Sequence, residues 1–154
     1  MKIISTILVS LICIQLFACS KNNEIGQTNN SNNNSDTDTA KMKITIGSTV
    51  FIATLNNNAT ATAFKAMLPL TINMSELNGN EKFYYFSTTL PTNASRGGNI
   101  QVGDLMLYGN NCLVLFYEGF NTSYSYTRLV RIDNTSGLVV ALGAGSVRVK
   151  FEKQ

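Results

Sequence analysis

Histidine and tryptophan are missing altogether from this chain of 154 residues, and proline occurs only twice. Without an imidazole, Ser-His-Asp and Cys-His catalysis and the common His-ligated metal sites are excluded. Charged residues make up only 14%, and a net charge of +3 is too small a basic excess to imply a nucleic-acid partner. No apolar run is long enough for a comfortable membrane span of about 20 residues. The longest N-terminal stretch, residues 3–18, is interrupted by Ser5, Thr6, Ser10 and Gln15. What remains is 44% hydrophobic, enough to pack a core, in a length that fits one domain with a tail. No metal and no cofactor is expected.

The N-terminus reads as a targeting segment. Lys2 is the only charge before Lys21, and a short apolar run ends in small residues, the pattern of a secretory signal peptide. Leu16-Phe17-Ala18-Cys19 resembles the bacterial lipobox. That resemblance implies cleavage after residue 18, lipidation of Cys19, and anchoring in a membrane of the bacterial cell envelope, the outer membrane being expected. Each buried methylene contributes about 0.8 kcal/mol, so several acyl chains hold firmly. The plainer alternative is an ordinary signal peptide with an incidental cysteine. Cys13 then leaves with the leader and Cys19 carries lipid, so Cys112 has no intrachain partner. It lies in the apolar run Cys112-Leu113-Val114-Leu115-Phe116 and reads as a small buried hydrophobe rather than a nucleophile.

Residues 19–41 are rich in Asn, Ser and Thr, with Ile25 the one large apolar side chain, and read as a disordered tether. Within it, Asp38-Thr39-Ala40 resembles an O-glycosylation acceptor pattern of some bacteria. The folded domain is expected over residues 42–154, and strand signals dominate it. Residues 43–46 and 49–55 predict a hairpin about Gly47-Ser48. From Asn58, apolar residues at Ala63, Phe64, Met67 and Leu68 share one face of a helix that Pro69 stops. Further strands are predicted over 70–74, 82–86, 103–108, 112–117, 124–132 and 146–152, and a short helix over 136–142 with Gly143 as its stop. About eight strands and two helices favour a closed barrel or a sandwich.

The order of these pieces, from Leu55-Asn56-Asn57-Asn58 through Leu68-Pro69-Leu70 and Gly103-Asp104-Leu105-Met106-Leu107-Tyr108 to Tyr126-Thr127-Arg128-Leu129, resembles the bacterial cyclophilin-like proteins. The resemblance implies a mainly β fold, an eight-stranded antiparallel barrel with two capping helices. Cyclophilins lower the barrier to X-Pro isomerisation, roughly 18–20 kcal/mol, with an apolar pocket and an Arg that donates toward the prolyl nitrogen. The stretch corresponding to that Arg is Ser87-Thr88-Thr89-Leu90-Pro91, which offers Thr88 instead. A groove Gln and Phe correspond to Leu113 and Leu115, and Tyr126 takes the place of a groove His. Arg96 and Arg128 are the remaining guanidinium candidates, and Arg128 is the one catalytic candidate. Its plainer reading is a snorkelling surface residue.

These departures favour a non-catalytic module that binds a peptide or small ligand in a groove lined by Tyr84, Phe116, Tyr117, Tyr124, Tyr126 and Arg128. Tyr suits such recognition because it combines an apolar face with a polar tip. The alternatives are a peptidyl-prolyl isomerase acting on envelope proteins and a surface glycan-binding lipoprotein. Glu81 beside Lys82 reads as a solvated pair, and Asp104 as turn chemistry. A monomer is the default.

Overall fold

In Met42, Ile44 and Ile46, then Phe51, Ala53 and Leu55, every second side chain is apolar and buried. That alternation makes one face of each strand seek a core. The computed structural model describes residues 40–154. The expected signal peptide, Cys19, most of the expected tether and Thr39 lie outside the described residues. The elements run β1 (Lys41–Ile46), β2 (Thr49–Leu55), α1 (Ala59–Ala66), β3 (Leu70–Leu77), β4 (Glu81–Tyr85), β5 (Ser95–Ile100), β6 (Asp104–Tyr108), β7 (Cys112–Phe116), β8 (Phe120–Ile132), α2 (Leu138–Leu142) and β9 (Val147–Lys153).

All pairings are antiparallel, in the order β2-β1-β9-β3-β4-β7-β6-β8. Ala53, Thr54 and Leu55 of β2 pair with Ile132, Arg131 and Val130 of β8 and close these eight strands into a ring. The expected barrel is therefore present. The ninth strand, β5, pairs only with β8, through Ser95↔Tyr126 to Ile100↔Phe120, and stands outside the ring. The sequence predicts no strand there, because Ser95-Arg96-Gly97-Gly98-Asn99 has little β-propensity. Gly97 is required by packing: a Cβ at this position would lie 2.8 Å from Thr122 Cγ2 and 3.1 Å from the Tyr126 ring.

The two helices close the barrel. Asn58 caps α1, its Oδ1 accepting from Ala61 N at 2.8 Å, while its Nδ2 donates to the Arg128 carbonyl at 2.8 Å. The cap thus ties the helix to β8 as well as satisfying a free amide. Phe64 points from α1 into the barrel, with its ring 5.6 Å from Phe151 and 6.4 Å from Phe86. From α2, Leu138 and Leu142 enter the same core, and Gly143 at φ 56 ends the helix.

One charge is sealed into the barrel. Lys82 has no exposed surface, and its Nζ donates to Glu76 Oε2 and to the carbonyls of Gly143 (2.8 Å) and Gly145 (2.7 Å), 5.4 Å from the Tyr117 ring centroid. Its three protons therefore each have an acceptor. Tyr117 donates to Glu76 Oε1 at 2.6 Å. Burial pushes the Glu76 carboxyl up, but hydrogen bonds from Lys82 and Tyr117 and the Lys82 charge outweigh it and hold the group below its usual value. Burial and the bond to Glu76 push Tyr117 up to about 12. The expected solvated Glu81–Lys82 pair is corrected here: adjacent strand residues face opposite sides, so Lys82 turns inward and meets Glu76 instead.

Lys82→Met keeps the stem but takes the lysine donor from two carbonyls and the cationic partner from Glu76, which retains only Tyr117 and the Gly79 amide. We expect a loss of about 3 kcal/mol in guanidinium unfolding at neutral pH, as for breaking other buried pairs. An unchanged midpoint contradicts the buried tie. Glu76 gives a second check. Its folded value is depressed, so its stabilisation is present above the ordinary value of 4.5 and fades as pH falls through the lowered one. Glu76→Gln should therefore be less stable than the parent at neutral pH, with the gap closing in acid.

Candidate functional site

β6 and β7 are apolar on both faces, and both faces are buried. Leu105, Leu107, Leu113 and Leu115 belong to the barrel core. Met106, Cys112, Val114 and Phe116 point outward into a second cluster with Ile100 of β5 and Tyr126 of β8. The two clusters follow from the length of β8. Its residues from Tyr126 to Arg131 pair with β6, whereas Phe120 to Tyr126 pair with β5 and form an arm packed on the outside of the barrel. Phe116 carries that contact, with ring centroids 5.6 Å from Phe120 and 5.5 Å from Tyr126.

Between the arm and the outer faces of β4, β6 and β7 lies a groove of about 720 Å³. This volume is within the usual range for ligand sites, about 300–1,000 Å³. Phe83, Cys112, Val114 and Tyr126 line its inner part. Its rim carries three exposed rings, Tyr85, Tyr108 and Tyr124, and Tyr108 meets Tyr124 edge-on at 6.1 Å. Asn121, Thr122, Ser123 and Tyr124 form one wall in unbroken succession, so the edge of the strand, rather than one face, borders the groove.

The lining is uncharged apart from Glu81. Glu81 is only 9% exposed as a residue, and among the described residues its carboxylate feels burial and the Glu76 charge but no hydrogen bond. Burial, then the charge of Glu76, pushes this carboxyl up. The neighbouring Asn80 also borders the groove, and its buried Oδ1 has no hydrogen-bond partner among the described residues. Burial and the Glu81 charge push Tyr126 up to about 12, so its hydroxyl stays protonated. The Cys112 thiol is pushed up by burial, which a hydrogen bond to Tyr85 only partly offsets. It lines the groove as an un-ionised hydrophobe, not a nucleophile.

The residues proposed from sequence divide between the two faces. Tyr124 and Tyr126 line the groove, and Phe116 lies buried beneath the arm. Tyr84 and Tyr117 pack on the barrel interior, because strand alternation sends Tyr84 inward and Tyr85 outward. The same alternation puts Leu113 and Leu115 inside, so neither occupies a groove position. Thr88 sits in an irregular segment after β4. Arg128 lies outside the groove. It donates to Asp104 Oδ2 (3.1 Å) and to the Gly97 carbonyl (3.2 Å), while Arg131 donates to Asp104 Oδ1 at 3.1 Å. Asp104 also accepts from Gln101 N at 2.9 Å, so it both builds the expected turn and holds two guanidinium groups. Sequence reasoning does not find Glu81, Asn80, Tyr85 or Tyr108 as site residues. The doubly apolar β6–β7 hairpin is the one sequence signal that a second, outer face is covered.

Residues 44–152 match the model of the cyclophilin-like family. A hypothetical protein of Archaeoglobus fulgidus, solved in solution, superposes with a TM-score of 0.54 at 15% identity, covering 75% of this chain and 95% of that one. That likeness is one of fold. No curated protein matches the chain in sequence.

An unpaired carboxylate under an apolar wall should cost stability when charged. The folded value of Glu81 is raised, so its unfavourable contribution is absent below 4.5 and appears as pH rises through the folded value. Glu81→Gln should match the parent at about pH 3, below the ordinary carboxylate range, and melt a few degrees higher at neutral pH. A neutral-pH melting temperature equal to or below the parent's contradicts an unpaired charge at this position.

Proposed function

We propose that this chain, which belongs to the cyclophilin-like family, is a lipid-anchored protein of the bacterial cell envelope whose domain binds a peptide or small ligand without catalysis. The observation that carries the reading is the chemistry of the groove. It presents aromatic rings, hydroxyls and acceptors, and none of its lining residues is Arg or Lys. Isomerisation of an X-Pro bond needs a donor toward the prolyl nitrogen. Arg128 is engaged elsewhere by Asp104 and the Gly97 carbonyl. Tyr85, Tyr108 and Tyr124 supply rigid amphipathic surface of the kind recognition sites use.

The anchoring rests on Leu16-Phe17-Ala18-Cys19 and the polar segment behind it. A tether of that composition sets the groove away from the lipid surface while keeping it within reach of envelope components.

In a protease-coupled assay on a proline-containing peptide, the domain should give no acceleration at any concentration. Acceleration that disappears with Arg128→Ala would restore the isomerase. Expressed in a bacterial host, the parent should take up labelled palmitate and fractionate with membranes, and Cys19→Ala should do neither. Equal membrane association of the two would reject the lipid anchor.

A further inference from the structure

The groove is asymmetric. Its rim is aromatic, while Glu81 brings a carboxylate that makes no ion pair among the described residues, and Asn80 brings a buried amide oxygen with no hydrogen-bond partner among them. A buried acceptor such as the Asn80 Oδ1 is rare in folded proteins unless something outside the chain satisfies it. Glu81 is a largely buried residue whose carboxylate makes no ion pair among the described residues, and it is complementary to a cation that arrives with its own protons. The other buried acid, Asp104, already holds two guanidinium groups and has no such capacity.

The wall of the groove says what carries the cation. From Phe120 to Ser125, β8 is paired to β5 along one edge only, since pairing with β6 begins at Tyr126. The opposite edge has no strand partner among the described residues, and residues 121–124 of that strand border the groove. A free edge beside a pocket is the arrangement in which an extended peptide adds as a strand, with its alternate side chains entering the pocket.

We propose that the groove takes an extended peptide segment that pairs with the free edge of β8 and places a basic side chain, Lys or Arg, against Glu81 and Asn80. This deepens the binding reading above and rests on it. The stem of the basic residue would lie along Phe83 and Val114, and flanking apolar residues would meet the rim tyrosines. Amide-shift mapping with three probes tests it: blocked Val-Lys-Val, the same peptide with norleucine for lysine, and n-butylammonium alone.

The lysine peptide should shift amides of Glu81, Cys112 and residues 120–124, and bind about tenfold or more tightly than the norleucine peptide. Glu81→Gln should remove that preference without abolishing binding of the norleucine peptide. Equal affinity of the lysine and norleucine peptides, or an undiminished preference in Glu81→Gln, overturns the cation site while leaving a working groove. Butylammonium binding as tightly as the lysine peptide overturns the strand-addition part and points to a free small cation. No groove shifts with any probe removes both this inference and the binding reading.

Discussion

β8 has two edges and three neighbours, and the architecture follows from how it divides them. Its C-terminal part gives one edge to β6 and, through only three residue pairs, the other to β2. Those three pairs convert an open sheet into a ring without free edges, which is what lets a small barrel avoid edge-to-edge association. Its N-terminal part has already left the ring, carrying β5 with it. Had the strand begun only at Tyr126, β6 and β7 would expose Met106, Val114 and Phe116 to water. The arm covers them, and in covering them incompletely it leaves the groove.

The described domain handles its buried charges in two ways. Lys82 and Asp104 are each saturated, the first by a carboxylate and two carbonyls, the second by two guanidinium groups and an amide. Each joins parts of the chain distant in sequence: Lys82 binds β4 to the loop after α2, and Asp104 binds β6 to β8. These are structural devices, satisfied internally, and a ligand has nothing to offer them. Glu81 is adjacent to Lys82 in sequence but on the other side of the sheet, and it has been left without a partner. Local unfavourable chemistry of this kind tends to be tolerated where a site has some use for it, and the binding proposed above supplies one.

Much of the barrel could be read from alternation and punctuation. Met42-Lys43-Ile44 and Val149-Lys150-Phe151 alternate cleanly because one face meets water, and Asn58 and Gly143 mark helix ends. The arm could not be read this way. β5 contains two glycines and almost no apolar side chain, since its backbone has to approach β8 closely rather than bury surface of its own. Gly97 answers to the Thr122 and Tyr126 side chains that press on it. Parity was the other obstacle. In Glu81-Lys82-Phe83-Tyr84-Tyr85 and Cys112-Leu113-Val114-Leu115-Phe116, both faces are apolar or mixed, so the sequence carries no mark of inside and outside. A shift of one residue exchanges Tyr84 for Tyr85 and Leu113 for Val114, and with them the whole groove.

The sealing of Lys82 has a practical corollary. Among the lysines of the described domain it alone is buried, and its amine is occupied by three acceptors. An acylating reagent that modifies Lys41 or Lys153 at once can reach Lys82 only when the barrel comes apart at the α2 end. Its modification rate, relative to that of an exposed lysine, therefore reports that opening and so the local stability. The residue that holds the barrel shut also reports when it is not.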